Sequence, residues 1–95
     1  MSLPAKRKYH PDFGMVRRQS RLVCAAVKGL SNLGVEVLVV RFKQPAPVIE
    51  VSRCRGVDSL PSAMKGRGRN SAGALYVRKV ACFHGCAVEW EEECL

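Results

Sequence analysis

The chain has 95 residues, 47% of them apolar and only 6% aromatic, which allows one domain with a Val- and Leu-filled core and argues against wholesale disorder. The formal net charge is +8, and it is unevenly placed. Residues 1–55 hold eleven Lys and Arg against Asp12, Glu36 and Glu50, whereas residues 56–95 hold five against Asp58, Glu89, Glu91, Glu92 and Glu93.

Residues 1–10, with Lys6, Arg7 and Lys8 in sequence, read as a flexible basic arm; residues 11–95 read as a single α+β domain. From Pro11 to Leu33 the pattern is helical. Val16, Val23, Val27 and Leu30 form an apolar stripe, Asp12 suits the N-cap and Gly34 suits the position just past the C-cap. Gly29 weakens the helix. Arg17, Arg21, Cys24 and Lys28 share the opposite face, with Arg18 beside it, so the helix is amphipathic with a cationic back.

Val35–Lys43 reads as a strand whose centre is apolar on both faces. That suits an interior strand, or one whose second face meets a partner, and leaves a homodimer through residues 35–42 open. Gln44–Pro47 breaks the chain, and Val48–Arg53 returns as a second strand. Residues 56–73, rich in Gly and Arg, read as a mobile loop, with one helical turn near Ser59–Lys65. Ala74–Glu92 reads as a second hairpin. A three-residue Phe83-His84-Gly85 loop is preferred, with Gly85 left-handed. This sets Cys82 opposite Cys86, Arg78 opposite Trp90 and Lys79 opposite Glu89. A two-residue His84-Gly85 turn is the other reading. The expected fold is an N-terminal amphipathic helix packed on a mostly antiparallel sheet of about four strands, made of two hairpins.

Ten cations are candidate phosphate contacts: Lys6, Arg7, Lys8, Arg17, Arg18, Arg21, Lys28, Lys65, Arg67 and Arg69. Such residues neutralise phosphates and release counterions. The same residues also fit a solvated face that keeps a small protein soluble. Cys82, His84 and Cys86 have C-x₃-C spacing rather than the usual C-x₂-C, and no fourth ligand is evident; the cysteines are read as apolar filler and no metal or cofactor is expected. No nucleophile–base pair or phosphate loop is visible, so the chain is not read as an enzyme. The Glu89–Glu93 cluster is read as pairing with Lys79 and the basic helix, or as a tail that competes with phosphate.

Five cysteines without a signal peptide point to a reducing cytosol. The longest plain apolar run, Val37–Val40, is too short for a membrane span. The segment His84-Gly85-Cys86-Ala87-Val88-Glu89-Trp90-Glu91 resembles the C-terminal hairpin of small orphan proteins of bacterial prophages and integrative elements. That resemblance implies a mobile-element accessory protein: a replication or regulatory factor, or an inhibitor of a host protein. The expected function is therefore non-catalytic binding of nucleic acid, with a module that binds an acidic protein surface or inhibits a host protein as the alternative.

Overall fold

The computed structural model describes residues 13–93. One helix, α1 (Phe13–Asn32), precedes strands β1 (Val37–Arg41) and β2 (Val48–Val51), a 3-10 turn (Arg55–Ser59), and strands β3 (Ser62–Arg69), β4 (Leu75–Phe83) and β5 (Cys86–Glu93). The helix packs on one face of a five-stranded sheet of order β1-β2-β5-β4-β3. The expected α+β class and helix-on-sheet layering are observed. The expected N-cap Asp12 and the basic arm lie outside the described residues.

The α1 stripe that meets the sheet is Gln19, Val23, Ala26, Val27 and Leu30. Gln19 replaces an apolar residue in it, and its side-chain amide donates to the Lys43 carbonyl at 2.7 Å, tying the helix to the end of β1. The helix stops in a Schellman motif. The Val35 N–H reaches the Leu30 carbonyl (2.9 Å) and the Gly34 N–H reaches the Ser31 carbonyl (3.0 Å). Gly34 takes φ 76°, which a side chain would resist. Leu30 and Val35, on either side of this cap, are both buried in the core. Gly29 has a packing reason: a Cβ there would lie 2.7 Å from the Phe83 ring.

The sheet is mostly antiparallel as expected but has five strands, and it departs from the expected arrangement in three ways. First, β2 and β5 pair in parallel, Ile49 opposite Val88. Strand β5 carries Cys86, Val88 and Trp90 on one face, and burying that row under α1 requires a place in the middle of the sheet. Second, residues 62–69 are a strand rather than a mobile loop, and the short helical segment falls at Arg55–Ser59 instead of Ser59–Lys65. Third, β1 is an edge strand, not an interior one, so one of its backbone edges has no partner strand among the described residues.

The β4–β5 turn has two residues, not three. Phe83 pairs with Cys86, and His84 and Gly85 take φ 51° and φ 77°. Positive φ at both central positions defines a type I′ turn, whose twist matches the flanking strands. The one-residue change moves every cross-strand pair from the expected register: Lys79 faces Trp90, Arg78 faces Glu91 and Val80 faces Glu89. Cys82 and Cys86 therefore point to opposite faces, Cys82 exposed and Cys86 buried.

Trp90 is 3% exposed. Its indole N–H donates to Glu92 at 2.9 Å, and Lys79 and Arg53 each lie 3.3 Å from the same carboxylate. The Trp90 hydrogen bond, aided by these two cations, holds Glu92 below the usual carboxylate range. A carboxyl whose folded pKa is depressed stabilises the fold above its unfolded pKa, and that contribution is lost as the pH falls through the folded value. Stability is expected to drop on acidification below the ordinary Glu value of 4.5. Trp90→Phe should flatten that acid limb in urea titrations run at several pH values. An acid limb of unchanged steepness in the variant would remove Glu92 as its source.

Candidate nucleic-acid interface

Strand β3, Ser62–Arg69, contains Gly66 and Gly68 and no β-branched residue, so it has little strand propensity of its own. It forms because β4 supplies a template, pairing from Ser62–Ala81 to Arg69–Leu75. Gly68 is covered rather than left as a gap, since a Cβ there would lie 2.9 Å from the Tyr76 hydroxyl, whereas Gly66 has open space around it. The connecting turn is ordered. The Asn70 side-chain oxygen accepts the Ala72 and Ala74 N–H groups at 2.9 and 3.0 Å, and Arg69 donates to the Gly73 carbonyl at 2.9 Å.

Alternation then sorts the cations by face. Arg67 and Arg69 stand opposite Val77 and Leu75, on the same side of the sheet as Trp90 and α1. Gly66 and Gly68 fall on the other side, opposite Arg78 and Tyr76. A bulge between Met64 and Gly66 breaks the register at Lys65. The Lys65 side chain accordingly leaves the Arg67/Arg69 side, crosses β4 and meets Glu89 at 2.6 Å. Glu89 is 5% exposed, so Lys65 neutralises a buried carboxylate in this structure.

The other candidates divide cleanly. Arg17, Arg18, Arg21 and Lys28 are exposed on the outer face of α1. Among the described residues, neither these four nor Arg67 and Arg69 has a carboxylate within ion-pairing distance. Lys6, Arg7 and Lys8 lie outside the described residues.

Four of the acids are placed elsewhere, while Glu92, opposite Val77, stays on the α1 side. Glu50, Glu89, Glu91 and Glu93 project from the sheet face away from α1, as their pairings with one another, Val80, Arg78 and Tyr76 require. There Arg41 and Arg78 pair with Glu50, and Arg78 also approaches Glu91 at 3.7 Å. This face holds an open hollow of about 310 Å³ lined by Leu38, Glu50, Arg78, Glu89 and Glu91. The expected Lys79–Glu89 pair is replaced by Lys79–Glu92, because the two-residue turn shifts the register. The acidic segment 89–93 is a strand in the sheet, not a loose tail laid over the basic surface.

The C-terminal hairpin offers no convergent reactive group. Burial, with Cys82 nearby, pushes the Cys86 thiol up and disfavours its thiolate. His84 stands exposed at the hairpin tip, edge-on to Phe83 with ring centroids 4.5 Å apart. Among the described residues, no three His, Cys, Asp or Glu side chains are arranged to hold a metal ion. No helix among them is long and apolar enough to cross a membrane.

One feature was readable but missed: K-G-R-G-R alternates Gly with cations at period two, the signature of a strand with one charged face. The unpaired cations of α1 and β3 share one side of the sheet, and comparison with protein-family models, curated proteins and solved structures finds no match to this chain.

Proposed function

We propose that this protein binds nucleic acid through the α1 side of its sheet. The observation that carries the reading is the segregation of charge. Six unpaired cations, Arg17, Arg18, Arg21, Lys28, Arg67 and Arg69, stand on one side, while most of the acids are engaged in ion pairs, chiefly on the other. A field of one sign on one surface attracts a polyanion and orients it. Arginine suits phosphate because its planar fork donates two parallel hydrogen bonds. The binding is non-catalytic, and with the prophage-like hairpin it fits a cytoplasmic accessory factor of a phage or mobile element.

A salt titration of binding to random-sequence duplex DNA, duplex RNA and single strands tests this. Affinity is expected to fall along a log–log line with a slope of several. Arg67→Ala with Arg69→Ala should reduce the slope on duplex DNA by about 1.8, from two phosphate contacts at about 0.9 each. Arg17→Ala with Arg21→Ala should act alike, while Lys65→Ala should leave the slope nearly unchanged because its charge is already spent on Glu89. Absence of binding to every one of these nucleic-acid pools at low salt would end this reading and shift the partner to an acidic protein surface.

A further inference from the structure

We infer that β1 is a homodimer edge: a second copy pairs antiparallel beside it and extends the sheet to ten strands. The two edges of the sheet differ in kind. Strand β3 presents Lys65, Arg67 and Arg69 along its length, and charge on an edge strand is a usual device against edge-to-edge association. Strand β1 has none of these charges along its centre. Leu38, Val39 and Phe42 are 59%, 41% and 44% exposed within five residues. Arg41, at its end, is already neutralised by Glu50.

The choice of a second copy as the occupant comes from charge complementarity. A bulge between Val37 and Val39 makes Leu38 and Val39 share one position, both turned to the face away from α1. Alternation within β1 sets Val37 and Val40 on the α1 side and Arg41 on the other; carried past the strand ends, it would set Phe42 on the α1 side and Glu36 and Lys43 on the other. With the bulge counted once, a two-fold axis through Val40 puts Val40 against its symmetry mate and Val37 against Phe42. It also puts Glu36 of one copy against Lys43 of its partner, twice. Both residues are exposed, and neither has an ion-pair partner among the described residues. A parallel arrangement in register would instead set like charges together, which costs free energy. The Gln19 amide fixes the Lys43 backbone through its carbonyl. The two-fold axis is perpendicular to the sheet, so both α1 faces end on one side of the dimer.

Sedimentation equilibrium of the full chain over a wide concentration range, without nucleic acid, tests the inference. The wild-type protein is expected to dimerise. Glu36→Lys and Lys43→Glu should each weaken the dimer about tenfold, because two symmetric exposed contacts turn from attraction to repulsion. Mixing the two variants should restore association as a heterodimer, since one copy then carries two cations where the other carries two anions. That rescue separates an interface effect from damage to the fold. A wild-type chain that stays monomeric throughout, or a mixture that associates no better than either variant alone, would overturn it. Nucleic-acid binding is measured separately, so either result leaves the charge-segregation reading to its own test.

Discussion

Replacing Trp90 with alanine is expected to cost about 3–5 kcal/mol, the range for truncating a buried large aromatic side chain. Trp90 lies at 3% exposure among Val51, Val57, Leu60 and Val88, where α1, the 3-10 turn and the central strand meet. Its removal takes apolar area from three elements at once and leaves a cavity that a strand between two neighbours cannot collapse to fill. It also frees the Glu92 carboxylate from its closest donor. A domain of this length has roughly 5–14 kcal/mol of total stability, so the loss is a large share of it. The melting temperature should fall by at least about 12 °C, at roughly 4 °C or more per kcal/mol. Circular dichroism melts are the measurement, because Trp90 is the only tryptophan in the chain and its fluorescence disappears with it. A melting point within a few degrees of wild type would mean that Trp90 is not at the centre of the core.

Gly56→Ala is expected to destabilise the fold by about 1–3 kcal/mol or more through overpacking. Gly56 sits in the 3-10 turn, where a methyl group would overlap the Leu33 carbonyl oxygen and come within 2.8 Å of a Val35 methyl. The obstacle is backbone, held by the helix cap, so relief requires moving the chain rather than turning a side chain. The paired control is Gly66→Ala on β3, where nothing lies within 4 Å of the added carbon. Alanine there should be neutral or stabilising by about 0.4–1 kcal/mol, because it reduces the entropy of the unfolded chain. Urea unfolding followed by Trp90 fluorescence reads both. Equal midpoints for the two variants would remove the steric account of Gly56. If the Gly56 variant unfolds early, the close seating of the 3-10 turn against the end of α1 contributes to the stability of the fold.

These two sites differ in how far the sequence announces them. An isolated tryptophan amid alternating Val and Glu reads as a strand residue, and its face follows once the neighbours are assigned. Gly56 carries no local signal, since its constraint comes from a carbonyl 23 positions earlier. The same contrast runs through the candidate interface. The cationic back of α1 was legible because a 3.6-residue period places Arg17, Arg21 and Lys28 together whatever surrounds the helix. Arg67 and Arg69 were legible as charges but not as a strand face, because a Gly-rich segment becomes a strand only when a neighbour templates it. The pairing of Lys65 with Glu89 was not legible because it depends on a bulge, invisible in residue order.

The sequence by itself determined the helix and its two faces, the first hairpin, the existence of the second, and the excess of positive charge in the first half. Each depends on periodicity or turn chemistry acting over a few residues. Tertiary structure decided the β4–β5 register, the parallel β2–β5 pairing, the strand at 62–69 and the edge position of β1. Those choices depend on which arrangement buries Cys86, Val88 and Trp90 beneath α1, a comparison between whole folds that no local pattern contains. It is also the tertiary structure that turns an unevenness along the chain into a separation across the sheet, with the unpaired cations of α1 and β3 on one side and most of the paired acids on the other.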